Sequence, residues 1–183
     1  MNEANSTEQA TARFEFLWTI VVAATIVLLL AVIAFTSVHG STMPSAGVEV
    51  IDATSLHRSG EFIEANLGTG VDSRGNTVVH LLAQQYSFRP HCILIPAGVP
   101  VIFRATSSDV VHGLQIQGTN INAMAVPGYI STFNATLPVT GERAMPCHEF
   151  CGVGHAAMWA RVRVVTSQEF QTLLSQKSRV SCD

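Results

Sequence analysis

The feature that most constrains this chain is an uncharged apolar stretch near its N-terminus. Phe16–Val38 is a run of 23 residues without a charged side chain, bounded by Glu15 and His39. As an α-helix it would be about 35 Å long, slightly more than a hydrocarbon core of roughly 30 Å. Trp18 lies near one end of the run, where an amphipathic ring suits the headgroup region. The pattern predicts one transmembrane helix over residues 16–38.

The residues before the span argue against a cleaved signal peptide. Such a peptide has a basic n-region and a short apolar core, whereas residues 1–15 contain three Glu and one Arg and the core here is too long. We therefore predict an uncleaved anchor that follows an N-terminal tail over residues 1–15, of which Met1–Arg13 is polar and expected to be poorly ordered. Arg13 is the only Lys or Arg before the span, and Arg58 is the first after it. This difference favours an inside N-terminus and an exported C-terminal domain.

Composition and length limit the kind of domain that can lie after the span. Only 13% of the residues are charged, against roughly 25% in ordinary soluble domains, as expected if part of the chain lies in lipid. Residues 39–47 are rich in Gly, Ser and Pro and are predicted to form a linker. Residues 48–183 suffice for one domain with a sizeable core. The net charge of -3 and the lack of Lys/Arg runs argue against nucleic acid as a partner.

Short apolar segments separated by turn residues predict that the domain is all-β. Six such strands in under 90 residues favour a small antiparallel sandwich or barrel. A capping box, from Thr166 to Glu169, predicts a short helix over Phe170–Leu174. The candidate strands are Val78–Tyr86, Ile93–Ile95, Val99–Ala105, Val110–Gln117, Ile130–Leu137 and Trp159–Val165.

The chemistry is concentrated in one short segment. Cys147, Cys151, His155 and Met158 follow the pattern C-x3-C-x3-H-x2-M, and His112 lies 35 residues upstream of the first cysteine. Thiolate and thioether ligands select copper, and imidazole suits it as well. A mononuclear blue-copper loop has one Cys, one His and one Met, so this loop carries one extra thiolate. A second, bridging thiolate would let a single loop hold two copper ions.

Other interpretations of the same residues remain open at this point. Cys147 and Cys151 are close enough in sequence to form a disulfide, which is common in exported domains. Two Cys and two His can also bind zinc, although this spacing is not that of a zinc finger and leaves Met158 unused. By itself, a histidine such as His112 is more often structural, and a methionine more often fills a core.

The copper loop, His112 and the single leading helix together resemble subunit II of haem-copper oxidases, in the B-type, single-span branch. The similarity is specific from about Leu82 to Val165 and weaker back through the anchor. Further segments that carry it are Ser87–Pro90 (SFRP), Thr106–Gly113 (TSSDVVHG), Gly118–Asn122 (GTNIN) and Val126–Gly128 (VPG).

The resemblance implies a cupredoxin-like β-sandwich with a binuclear copper centre, CuA. Cys147 and Cys151 would be the bridging thiolates, and His112 and His155 would each bind one copper ion. Met158 would be a weak axial ligand, and Glu149 would contribute its backbone carbonyl oxygen. Cys92 and Cys182 match no ligand position; the first is expected to be a buried apolar residue and the second to lie in a loose tail.

The resemblance also implies a role and a location. The chain would take electrons from a cytochrome c or a cupredoxin and pass them to a haem in a multi-span subunit I, where oxygen is reduced. It would be a subunit of cytochrome c oxidase with no catalytic residue of its own, anchored in the lipid of a bacterial or archaeal plasma membrane. In the mitochondrial-type branch an aromatic Trp-Tyr-Trp stretch accepts the electron, whereas here Gln84, Gln85 and Tyr86 stand in its place.

Three alternative functions use the same residues. A nitric oxide reductase can carry a CuA subunit, and this chain does not contact the terminal substrate that would distinguish the two enzymes. A membrane-anchored copper carrier or assembly protein would expose labile ligands. A zinc-stabilised scaffold or adhesion domain would have no redox role.

Overall fold

The computed structural model describes residues 2–39 and 49–182, with the side chains of the N-terminal helix described from residue 8 to residue 38. The chain divides into two compact units, Met1–Ala46 and Gly47–Asp183. The predicted linker at 39–47, apart from the backbone of His39, lies outside the described residues.

The first unit contains one long helix, α1, over Asn2–His39. Its segment Glu8–Val38 is apolar and long enough to cross a membrane, with a mean hydropathy of 2.9 and no residue buried. The helix begins well before Phe16, so the expectation of an unstructured N-terminal tail is wrong from Asn2 onward. Helical hydrogen bonding does not require apolar side chains, so a polar segment can extend the helix of the span that it precedes.

Strands are the main regular secondary structure of the second unit. The predicted strand Val78–Tyr86 ends early, at Gln84, because the chain turns back at Gln85 and Tyr86. Within residues 49–182 the strands are β1 (Glu49–Val50), β2 (Gly68–Val71), β3 (Thr77–Gln84), β4 (Ser87–Arg89), β5 (Cys92–Pro96), β6 (Val101–Ser107), β7 (His112–Gln115), β8 (Asn122–Ala125), β9 (Tyr129–Ala135), β10 (Gly141–Pro146), β11 (Trp159–Val165) and β12 (Arg179–Val180).

These strands form two sheets and a ribbon. The large sheet has the order β1-β9-β6-β3-β2-β12, with β4 also paired to β3; the small sheet is β10-β11-β5; and β7 pairs with β8. The pairs β3–β6 and β5–β11 are parallel, so the expectation of a purely antiparallel domain is wrong. Alternating polarity predicts which face of a strand is buried but not the direction of its neighbour, which depends on how the chain crosses between sheets.

The two sheets share one apolar core. Val79 and Phe103 of the large sheet belong to the same buried cluster as Ile93 and Val162 of the small sheet, so the sheets pack face to face. Burying one such side chain fully contributes roughly 1.5–3 kcal/mol. Along β11, buried residues alternate with exposed ones, as the period-two pattern predicts.

The predicted helix begins slightly earlier than expected. The helix α2 spans Ser167–Leu174, and the Thr166 hydroxyl accepts a hydrogen bond from the backbone N–H of Glu169 at 3.2 Å. This contact is the first half of the predicted capping box. Phe170 of α2 is buried against Leu94 of β5 and Val180 of β12, so the helix contacts one strand of each sheet.

A disulfide joins Cys92 to Cys182, across a sequence separation of 90 residues. Cys92 is buried as expected, but the expectation that Cys182 lies in a loose tail is wrong, because the disulfide and the neighbouring strand hold it. The pairing arises because β12 joins the large sheet beside β2 and brings the C-terminal segment to the start of β5. The N–H of Cys182 also donates to the carbonyl of Cys92 at 3.1 Å.

A group of charged side chains ties the first segment of the domain to the large sheet. Arg104 of β6 forms ion pairs with Glu49 of β1 and with Glu61. His80 of β3 places Nε2 at 2.9 Å from Glu61 Oε1 and Nδ1 at 3.1 Å from the carbonyl of Asn66. Burial raises the pKa of Glu61, but hydrogen bonds from His80 and Arg104 outweigh it and lower that pKa to about 2.

Candidate metal centre

The segment that carries the predicted ligands is a loop closing the hairpin of β10 and β11. Pro146 pairs with Trp159 at the end of the ladder, so residues 147–158 connect the two strands. The N–H of Cys147 donates to the carbonyl of Met158 at 2.9 Å, and a 3₁₀ turn over His155–Ala157 completes the loop. The loop is therefore fixed at both ends by the small sheet.

Strand β7 brings the remote histidine against this loop. Leu114 forms a backbone bridge with Cys147, and the N–H of His148 donates to the carbonyl of Gly113 at 3.2 Å. A Cβ atom at Gly113 would lie only 2.5 Å from the backbone carbon of His148. Glycine at this position therefore permits the close approach that puts His112 beside the loop.

The structure brings the six predicted ligand residues together. Cys147 Sγ lies 3.8 Å from Cys151 Sγ, 3.8 Å from His112 Nδ1 and 3.2 Å from the carbonyl oxygen of Glu149. Cys151 Sγ lies 3.6 Å from His155 Nδ1 and 3.7 Å from Met158 Sδ. Each donor atom thus has at least one neighbour from another member of the set.

Most of these donors are shielded from water. His112 and Met158 are fully buried, Cys147 and Cys151 are nearly so, and His155 is half-buried. Both loop cysteines are free thiols, so the disulfide alternative for this pair is wrong. Burial, followed by the neighbouring Cys147 thiol, raises the pKa of the Cys151 thiol to about 11.

A carboxylate orients the buried imidazole. Asp109 Oδ1 lies 2.9 Å from His112 Nε2, so this nitrogen donates a hydrogen bond to the carboxylate, and Nδ1 faces Cys147. Partial burial raises the pKa of Asp109, but hydrogen bonds from the Gln85 N–H and from His112 outweigh it and keep that pKa below its usual value. Asp109 therefore remains an acceptor for the imidazole.

Sequence reasoning did not single out Asp109, Gln85 or Gly113 as site residues. A carboxylate three residues before a candidate ligand histidine often orients that histidine, so the sequence could have identified Asp109. Gln85 donates its side-chain amide to the carbonyl of Cys151, 66 residues away, and no local pattern indicates such a contact. The role of Gly113 similarly depends on a loop 35 residues further along the chain.

The donor set fits a soft metal ion. Two sulfur ligands on a tetrahedral metal with bonds of about 2.3 Å lie about 3.8 Å apart, close to the separation of the two thiols. Three of the ligand residues, His112, Cys147 and Cys151, offer ligand atoms that all lie within 4.8 Å of one another. The Met158 thioether is 3.7 Å from Cys151 Sγ and favours copper over zinc, because thioether sulfur is a poor zinc ligand.

Comparison with known proteins gives the family. The profile described as the periplasmic domain of cytochrome c oxidase subunit II matches residues 81–165. One cytochrome c oxidase subunit 2 of Thermus thermophilus is 29% identical over 166 residues, which cover 90% of this chain and 99% of the relative. Another from Thermus thermophilus is 31% identical over 122 residues, covering 67% of this chain and 90% of that protein. The chain belongs to the cytochrome c oxidase subunit II family.

Solved structures agree with this assignment. A chain from a haem-copper terminal oxidase dimer superposes on this subunit II with a TM-score of 0.57 and 29% identity, covering 79% of this chain and 96% of that one. The periplasmic domain of subunit II of cytochrome oxidase from Bradyrhizobium japonicum has a TM-score of 0.50 at 18% identity, covering 55% of this chain and 91% of that one. The second match concerns the fold alone and confirms the cupredoxin-like sandwich.

As a subunit II, the chain is part of a haem-copper oxidase, as the resemblance predicts. It therefore belongs to a copper-binding subunit family and functions in respiratory electron transport. Nothing in these matches favours the nitric oxide reductase or the copper-carrier alternative over the oxidase.

Proposed function

We propose that this subunit II holds a binuclear CuA centre and is the point at which electrons from a soluble carrier reach the oxidase. The observation that carries the proposal is the buried cluster of two free thiols, two imidazole nitrogens and a thioether, in which each donor lies 3.6–3.8 Å from a neighbouring one. The two imidazoles lie beside different thiols, an arrangement that supports two metal ions bridged by the thiols rather than one ion.

The positions of the donors suggest a role for each. Cys147 and Cys151 lie at the centre of the cluster and would bridge the two copper ions. His112 is nearest to Cys147 and His155 is nearest to Cys151, so each imidazole would bind a different copper ion. Two further, weaker donors complete the set, namely the Met158 thioether and the Glu149 carbonyl oxygen.

The bound copper pair would supply reversible one-electron chemistry, and the protein supplies a rigid and mostly dry ligand shell. Loop closure by β10 and β11 holds Cys147 and Met158. The Asp109 carboxylate holds the His112 imidazole in one tautomer and one orientation. Ligands that are already in place need little rearrangement when an electron arrives or leaves, which favours fast transfer.

An apolar surface on the copper loop supports the docking of an electron donor there. Phe150 and Val153 are exposed to 76% and 100%, and Trp159 at the loop's end is also half exposed. Phe150 packs edge-on against the imidazole of His155, with ring centroids 5.7 Å apart. A cytochrome c or a cupredoxin that docks on these side chains would bring its cofactor close to a ligand of the centre.

The acceptor and the location follow from family membership and from two features of the chain. The acceptor would be a haem of the multi-span subunit I. The apolar segment of α1 would anchor the chain in the lipid of a bacterial or archaeal plasma membrane. The Cys92–Cys182 disulfide supports an exported domain, because disulfides persist in oxidising compartments.

The decisive experiment measures metal content and visible absorption of the full chain in detergent after copper loading. We expect two copper ions per chain and the purple spectrum of a mixed-valence centre. Cys147→Ser and Cys151→Ser should each abolish that spectrum, because either change removes a bridge. Ser181→Ala, a change outside the cluster, provides the control. A blue, one-copper protein, or a zinc-selective and colourless one, would contradict the proposal.

A further inference from the structure

Gln85 lies at the turn between β3 and β4, beside the copper loop but remote from it in sequence. β3 ends at Gln84, and Gln84 pairs with Ser87 across the turn. The turn residues Gln85 and Tyr86 are both exposed, so neither belongs to the apolar core. Their contacts with the loop are therefore additional to those that hold the sandwich together.

The side chain of Gln85 contacts one side of the centre. Its Nε2 donates a hydrogen bond of 2.5 Å to the backbone carbonyl of Cys151. That carbonyl begins the bend at Gly152, where φ is +129°. The amide therefore holds the backbone of a candidate bridging ligand at the point where the loop changes direction.

The backbone of Gln85 contacts the other side of the centre. Its N–H donates to Asp109 Oδ2 at 2.6 Å, while Asp109 Oδ1 binds His112 Nε2 at 2.9 Å. One residue thus connects the carbonyl of Cys151 to the carboxylate that orients His112. These two ligands approach the cluster from different parts of the fold, the loop and β7.

Tyr86 gives the same turn a steric contact with the loop. A Cβ atom at Gly154 would lie 2.5 Å from Tyr86 Cγ, and one at Gly152 would lie 2.6 Å from the Tyr86 hydroxyl oxygen. The loop thus lies directly on the tyrosine ring, and glycine at both positions allows this close packing. The turn limits how far the Cys151 side of the loop can move.

We propose that Gln85 is a positioning residue that sets where Cys151 lies relative to His112. This inference rests on the proposed function, because the distance between Cys151 and His112 affects the copper centre only once copper is bound. Loss of the side-chain amide leaves the Cys151 carbonyl to water and frees the bend at Gly152. The copper centre should then have a shifted potential and a broader, more heterogeneous spectrum.

The variant Gln85→Leu tests the side chain alone, because leucine has a similar volume and retains the backbone N–H that binds Asp109. The matched control is Gln84→Leu, which removes the same amide one residue earlier. Both are made in the full chain in detergent. Because Gln85 is exposed, we expect thermal midpoints close to that of the parent.

Two readouts distinguish this inference from the proposed function. In the metal-free chain, Gln85→Leu should raise the hydrogen-exchange rates of the His155 and Ala157 amides, which donate to the carbonyls of Gly152 and Gly154. The expected increase is about two- to tenfold, the range for one lost hydrogen bond. In the copper-loaded chain, it should shift the redox potential and release copper to a chelator about two- to tenfold faster. Gln84→Leu should leave both readouts unchanged.

Equal effects of the two variants, or no effect of Gln85→Leu in the metal-free chain, would overturn the positioning role. A parent chain that binds no copper would instead overturn the proposed function, while the exchange measurement would still decide whether Gln85 holds the loop. If Gln85→Leu fails to fold, Gln85→Asn provides a second variant. It keeps the amide but is one methylene too short to reach the Cys151 carbonyl, so it should reproduce the faster exchange.

Discussion

Single residues in the cluster differ in how strongly they can hold a metal. A thiolate and an imidazole are strong ligands, whereas a thioether is neutral and weak. Met158 is fully buried and lies 3.7 Å from Cys151 Sγ. It can therefore influence the electronic properties of the centre, although it contributes little to holding the metal. His155 lies 3.6 Å from the same sulfur and is half-buried.

This difference predicts opposite outcomes for two substitutions. Met158→Leu keeps volume and apolarity, so it should cost less than about 1.5 kcal/mol of stability. It should retain both copper ions but shift the redox potential and slow electron delivery. His155→Ala removes a strong ligand and should lose copper or the integrity of the centre.

Copper content and redox potential of the two variants, measured side by side, check this prediction. A copper-free Met158→Leu together with a fully loaded His155→Ala would reverse our assignment of weak and strong ligands.

At the scale of elements, the centre depends on how closely β7 approaches the loop. The backbone of Gly113 meets that of His148 with no room for a side chain. Gly154 has a similarly close neighbour, but there the atoms belong to the partly exposed side chain of Tyr86, which can change its rotamer at a smaller cost than a displacement of backbone. Backbone atoms cannot move in this way without displacing the loop.

We therefore expect Gly113→Ala to damage the centre more than Gly154→Ala. A methyl group at Gly113 should push the loop from β7, separate His112 from Cys147 and destabilise the domain by about 1–3 kcal/mol, as overpacking does. Copper stoichiometry and thermal unfolding of the two variants provide the test. Equal copper binding by both would show that the approach of β7 is not required.

At the scale of the whole molecule, the second unit is stabilised partly by charges far from the copper loop. Glu61 receives hydrogen bonds from His80 and Arg104, and Arg104 also pairs with Glu49 at the start of the domain. The two carboxylates that Arg104 binds lie 43 and 55 residues from it along the chain. These contacts give the domain a pH-dependent component of stability.

The sign of this pH dependence is set by the lowered pKa of Glu61. That pKa falls from 4.5 to about 2 in the folded protein. The contribution of Glu61 is therefore fully present above about pH 4.5 and is lost as the pH falls towards 2. Glu61→Gln should lower the free energy of unfolding by about 1–3 kcal/mol near pH 7, and the difference from the parent should shrink below pH 4.5.

Denaturant unfolding of the full chain between pH 3 and pH 7 measures this difference. Glu64→Gln is the matched control, because Glu64 has only a solvent-exposed ion pair with Arg89 and should change stability little. A constant difference between Glu61→Gln and the parent across that range would contradict the prediction.

Local features of the sequence were sufficient for the long apolar helix, the alternation of β11, the cap of α2 and the choice of candidate ligands within the loop of residues 147–158. Each of these depends on residues within a dozen positions of one another, or on a single uncharged run. An apolar run must form a helix in lipid, and an alternating segment must bury one face, whatever the rest of the chain does. The donors of the loop are similarly brought together by the hairpin that encloses them.

Tertiary structure alone decided the features that join distant segments. These are the parallel pairing of β3 with β6, the Cys92–Cys182 disulfide, the approach of Gly113 to His148, and the bond from Gln85 to Cys151. The two partners lie 24 to 90 residues apart in the sequence, and the residues around either one do not predict which distant residue it contacts. Such pairs are determined only when the whole core packs, because packing fixes which strand ends and turns meet.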